Sequence, residues 1–70
     1  MKDRIIEIIS EVLEIEANIN TSQSTCSKWD SLQHLNVIVA LEEAFDLSFE
    51  PEEIATMKDI VTIEQVIQQK

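Results

Sequence analysis

The chain of 70 residues contains no glycine and a single proline, Pro51. That absence restricts the fold more than any motif does. Tight hairpin turns need backbone at positive φ, which glycine adopts most readily, so a strand-rich fold with short turns is disfavoured. Leu, Glu and Gln, which enter helices at little cost, are plentiful. A chain this short buries only about 60% of its unfolded surface. It therefore makes one domain, spanning 1–70, with no room to enclose a large active-site cavity. At 44% hydrophobic residues it can still supply a core, which a disordered tail cannot.

Apolar spacing predicts where the helices lie. From Asp3 to about Glu16, Ile5, Ile8, Ile9, Val12 and Ile15 recur at helical period, broadened by Ile6 and Leu13. Glu7, Glu11 and Glu14 fall on the other side; an acidic polar face favours packing into a core over lying on a membrane surface. Ala17 to Lys28 holds Asn18, Asn20, Thr21, Ser22, Ser24, Thr25 and Ser27, which compete with helical hydrogen bonds and favour turns. Ile19 is expected to pin this loop to the core. Loops this long in so small a domain are uncommon and often functional.

A second helix is predicted from Ser31 to Phe45. Projected at 100° per residue, Val37, Ile38, Leu41, Ala44 and Phe45 share a broad core face. Leu32, Leu35 and Val39 form a second stripe, bordered by Asn36 and Glu43. Two readings of it stay open: burial under the long loop, or a strip that binds a partner. Leu47 and Phe49 alternate inward along a short connection, Pro51 suits the first position of a short third helix, and Ile54 and Met57 hold that helix. Asp59 reads as the N-cap of a last helix whose core stripe is Ile60, Ile63, Val66 and Ile67. The expected fold is all-α: a small four-helix bundle with three main helices, one short helix and a long loop after the first.

Fourteen acidic residues stand against five basic ones, a net charge of -9. Such a chain repels phosphate backbones, which argues against nucleic acid and anionic membranes and for basic protein surfaces as partners. No basic residue occurs between Lys28 and Lys58, whereas Asp30, Glu42, Glu43, Asp46, Glu50, Glu52 and Glu53 do. Cys26 is the single cysteine, so no internal disulfide is possible and a packing role is expected of it. No apolar run approaches the ~18 residues of a membrane span, and no signal peptide is visible, so a cytoplasmic monomer is expected.

One stretch carries candidate chemistry: Trp29-Asp30-Ser31-Leu32. Ser31 opens the long second helix beside an aspartate. Ser and Asp are also favoured N-caps, and capping alone is the plain alternative. A hydrolase triad of Asp30, Ser31 and His34 is rejected. Three groups within five residues do not by themselves give nucleophile, base and orienter geometry, and no oxyanion hole is evident. His34 is instead expected at the edge of the bundle.

These residues resemble the acyl carrier proteins, small acidic four-helix carriers of thioester-bound intermediates. The resemblance rests on Asp30-Ser31-Leu32 at the head of Val37-Ile38-Val39-Ala40-Leu41-Glu42-Glu43-Ala44-Phe45-Asp46 and covers nearly the whole chain. It implies that Ser31 receives a 4′-phosphopantetheine arm from coenzyme A, attached by a magnesium-dependent phosphopantetheinyl transferase. The arm's thiol would carry acyl groups between an acyl-loading ligase or transferase and synthase enzymes of fatty-acid, polyketide or related biosynthesis. The chain would be a discrete carrier and not an enzyme. It implies docking to basic patches through Asp30, Leu32, Leu35, Val39 and Glu43. Trp29 stands where fatty-acid carriers commonly have a small residue, and Gln33 and Asn36 replace frequent acids, which points toward a specialised pathway. The alternatives are an aminoacyl or peptidyl carrier, disfavoured by the lack of a glycine-rich approach to the serine, and an unmodified acidic interaction module.

Overall fold

The predicted periodicities become four helices in the computed structural model, which describes residues 1–70: α1 (Lys2–Leu13), α2 (Ser31–Phe45), α3 (Pro51–Thr56) and α4 (Ile60–Gln68). There are no strands, only an isolated bridge between Ser22 and Asp59. The bounds of α2 agree with the sequence reading, and Pro51 takes the first turn of α3. Asp59 caps α4, its Oδ1 accepting from the Thr62 N–H at 2.8 Å.

Helix α1 ends sooner than its apolar pattern suggests. Glu14 turns left-handed at φ 56°, and the Ile15 N–H reaches back to the Ser10 carbonyl at 3.1 Å. Asp46 closes α2 in the same way at φ 54°, with Leu47 N–H on the Glu42 carbonyl at 3.1 Å. Both turns need the conformation that glycine usually supplies at helix ends. With no glycine in the chain, Glu14 and Asp46 adopt it at a cost of about 1–2 kcal/mol each, less for the short polar Asp.

The core joins Ile5, Ile8, Ile9 and Leu13 of α1, Val37, Ile38 and Leu41 of α2, and Ile60, Ile63 and Ile67 of α4. α1 is the central element, packing on both α2 and α4. Trp29, Phe49 and Met57 enter the same core from the connections. Two expected core residues are misplaced. Ala44 is exposed, because its methyl is too short to compete with Phe45 and Phe49, which pack at that end of α2. Ile19 is also exposed and does not pin the loop. Ile15, Ala17 and Cys26 take that role, helped by an Ala17 N–H bond to Ser10 Oγ at 3.0 Å.

The long loop, residues 14–30, is a chain of local turns. Asn18 N–H bonds Thr21 Oγ1 at 2.9 Å and Ser22 N–H bonds Thr25 Oγ1 at 3.1 Å. Its middle is fastened to the α3–α4 connection by Gln23 N–H on the Lys58 carbonyl at 2.8 Å. No helix is long and apolar enough to cross a membrane.

Candidate functional site

The site begins with how α2 starts. Asp30, with extended backbone, is the N-cap: its Oδ1 accepts from the Gln33 N–H at 2.9 Å, and its carbonyl accepts from the His34 N–H at 2.9 Å. Ser31 is therefore the first helical residue and is exposed. Capping by Ser31, the plain alternative in the sequence, is replaced by capping by Asp30. The serine hydroxyl is left without a structural task. The N–H groups of Ser31 and Leu32 remain as unpaired donors at the positive end of a 15-residue helix.

What fixes this turn was not anticipated. Trp29 is buried, 1% exposed, and its indole N–H donates to His34 Nδ1 at 2.9 Å. The other imidazole nitrogen, Nε2, lies 2.9 Å from the Ile54 carbonyl. An indole can only donate and a carbonyl can only accept, so Nδ1 is bare and Nε2 carries the proton. His34 is thus a buried, neutral strut joining the residue before the cap, the first turn of α2, and α3. It is not the bundle-edge residue the sequence suggested. Both of its nitrogens are committed, so it cannot serve Ser31 as a base. The signals in the sequence were the place of His34 on the core-facing arc of α2 and an indole and an imidazole flanking Asp30-Ser31, and residue spacing alone does not say that the two rings meet.

Around the serine the surface has two characters. Along α2, Leu32, Leu35 and Val39 are 71%, 56% and 52% exposed, so the long loop does not cover the second stripe. Asp30 and Glu43 are exposed at its two ends. On the other side of Ser31 lies an open groove of about 510 Å³, lined by Gln23, Ser24, Ser31, His34, Ala55 and Lys58. A separate depression of about 620 Å³ on the loop holds Cys26 and shares no residue with it.

The arrangement offers a free primary hydroxyl, backbone donors suited to an anion, an apolar strip and an adjoining groove. No group of His, Cys, Asp and Glu is arranged to hold a metal ion. Among known families, the model described as phosphopantetheine attachment site matches residues 3–68. No curated protein matches the chain.

Proposed function

Because the chain belongs to the phosphopantetheine-attachment family of carrier proteins, whose members hold 4′-phosphopantetheine covalently, we propose that it is an acyl carrier with Ser31 as the attachment residue. The observation that carries this reading is the division of labour at the head of α2. Asp30 caps the helix and Ser31 stands exposed beside it with its hydroxyl unused. The residues present fit the group. Ser31 supplies the ester oxygen, and the unpaired N–H groups of the first turn favour a phosphate anion.

When bound, the arm supplies a terminal thiol that holds an acyl group as a thioester. The chain's own contribution is presentation. Ser31 Oγ forms the new phosphodiester bond at the pantetheine-linked phosphorus of coenzyme A, and 3′,5′-ADP leaves. The hydroxyl proton passes to the transferase, since His34 is engaged at both nitrogens and Asp30 is engaged in capping the helix. The protein acts as substrate and handle rather than catalyst.

Partner enzymes of matching chemistry carry a basic patch beside an apolar recess. Asp30 and Glu43 would set encounter and orientation, and Leu32, Leu35 and Val39 would hold the docked state. The test is intact mass before and after incubation with coenzyme A, magnesium and a broad-specificity phosphopantetheinyl transferase, with Ser31→Ala alongside. A gain of one phosphopantetheine by wild type alone is expected. A folded, unmodified wild type that gains nothing overturns the reading and leaves an acidic interaction module in its place.

A further inference from the structure

The groove beside Ser31 has an unusual charge. Fourteen acidic residues are spread over this chain, yet none lines that groove. Its one acid or amine side chain is Lys58; Gln23, Ser24, Ser31 and Ala55 carry no charge, and His34 has both ring nitrogens engaged in hydrogen bonds. The other cations are differently placed. Arg4 pairs with Glu7, Lys70 with Glu53, Lys28 Nζ reaches the Glu14 carbonyl, and Lys2 stands at the start of α1. Like Lys2 and Lys28, Lys58 makes no ion pair, and it alone of the five cations lines this groove.

The backbone at Lys58 is fixed on both sides. Met57 is fully buried, whereas Lys58 beside it is exposed. Its N–H bonds the Thr56 carbonyl at 2.9 Å, and its carbonyl accepts from Gln23 at 2.8 Å. The next residue, Asp59, is held by its cap bond and its bridge to Ser22. The opposite wall is equally set, because His34 ties α2 to α3 through Ile54.

We propose that Lys58 is a positioning residue for the arm on Ser31, its ammonium pairing with the phosphodiester and laying the first part of the arm into the groove. This rests on the reading of Ser31 as attachment residue and goes beyond it. The phosphodiester carries one negative charge shared by two non-bridging oxygens, which an ammonium pairs as a point charge and a guanidinium as a fork. Next along the arm comes a carbon bearing two methyl groups, for which Ala55 offers the aliphatic wall. A hydroxyl and amides follow, for which Gln23 and Ser24 offer polar partners. The arm then leaves the protein on the α3 side, away from the apolar strip of α2.

The experiment uses the holo protein with an isotope-labelled arm and reads nuclear Overhauser contacts from the arm's methyl protons to the Ala55 methyl and the Lys58 ε-methylene. An exposed ion pair shifts such a population about two- to fivefold, so Lys58→Gln should weaken the Ala55 contacts by that factor. Lys58→Arg should retain them. In wild type they should fade as NaCl rises from about 0.02 to 0.5 M, where the screening length shortens severalfold. Contacts absent from wild type, or equal in Lys58→Gln and insensitive to salt, overturn the proposal. Mass spectrometry of the same samples separates the two inferences. No arm on Ser31 removes both, whereas an arm indifferent to Lys58 removes this one alone. Amide spectra report whether Lys58→Gln keeps the fold; if it does not, Lys58→Arg and the salt series decide.

Discussion

Replacing Trp29 by Phe tests whether the buried indole–imidazole bond holds the head of α2 in place. The ring stays aromatic and apolar, but the N–H is lost and His34 Nδ1, in a residue only 9% exposed, is left as a bare acceptor. An orphaned buried polar atom costs about 1–3 kcal/mol. The missing pyrrole edge leaves a void of at least methyl size in the core, worth about 1 kcal/mol. The expected loss is therefore about 2–4 kcal/mol. A 70-residue domain has about 4–10 kcal/mol in all, and each kcal/mol moves the melting temperature of a domain this size by about 4–8 °C. Trp29→Phe should lower Tm by at least about 8 °C. Urea melts followed by circular dichroism are the assay, since Trp29 is the only tryptophan and its fluorescence disappears with it. A double-mutant cycle with His34→Leu isolates the pair. The orphaned Ile54 carbonyl is common to both His34→Leu variants and cancels, leaving a coupling of about 1–3 kcal/mol. A loss below about 0.5 kcal/mol for Trp29→Phe, or a cycle that closes without coupling, would refute the reasoning.

Four other experiments check separate parts of the structure. Asp30→Ala removes the α2 cap and should cost about 0.5–2 kcal/mol, whereas Ser31→Ala should stay within about 0.5 kcal/mol of wild type in the same thermal melts. The reverse order would make Ser31 the cap. Glu14→Gly relieves the left-handed strain at the end of α1 and should raise stability by about 0.5–1 kcal/mol net of the added chain entropy, read as a Tm increase of a few degrees. The Glu53 carboxyl is held below its ordinary value of 4.5, first by its hydrogen bond to Lys70 and then by the Glu50 N–H. Its stabilising effect is thus present above about pH 4.5 and lost as pH falls through the lower folded value, so Glu53→Gln should show a shallower acid limb in Tm against pH. Finally, with net charge -9, self-repulsion should make Tm rise from low to physiological NaCl, and more per equivalent for divalent cations; a flat response would contradict this.

The helices were legible where a regular period meets an unambiguous end signal. For α2, Asp30-Ser31 at the start and the last apolar residue, Phe45, bound a segment whose interior carries no breaker. The end of α1 was not legible, because Val12, Leu13 and Ile15 continue the apolar pattern past the turn, and Glu14 gives no sign of its left-handed backbone. Ser31 was legible as a candidate from its place at the head of α2. The question of cap or free hydroxyl could not be answered by residue type, since Asp and Ser are both good caps; the bond from Gln33 to Asp30 separates them. His34 was misread, and the role of Trp29 was missed, for a related reason. His34 falls on the core-facing arc with Val37, Ile38 and Leu41 while Trp29 precedes the helix, and their roles depend on a contact across five residues that also needs the Ile54 carbonyl of α3. Lys58 is the extreme case. It is 27 positions from Ser31 in sequence, and only the fastening of the loop to the α3–α4 connection brings both to one groove.

The two faces of α2 set folding and function against each other in a way that can be weighed. Val37, Ile38 and Leu41 are essentially inaccessible, while Leu32, Leu35 and Val39 on the same helix stay more than half in water. Burying one such side chain is worth about 1.5–3 kcal/mol. At their exposed fractions the three together forgo about 3–5 kcal/mol, a large share of the total stability expected of the domain. Folding of this chain gives no reason for that placement, since the loop of residues 14–30 is fastened elsewhere and does not cover them. On the proposed reading the burial is deferred to docking, where it is recovered only while a partner is engaged. The serine must meanwhile be presented without tertiary contacts of its own, because any side chain packed on it would have to move when the arm is attached. The ordering is supplied by its neighbours: Trp29 below, Asp30 at the cap and His34 one turn on. Loosening that support should therefore slow modification of Ser31 even under conditions where the domain remains folded, which makes the rate of arm transfer to Trp29→Phe a measure of presentation distinct from its melting temperature.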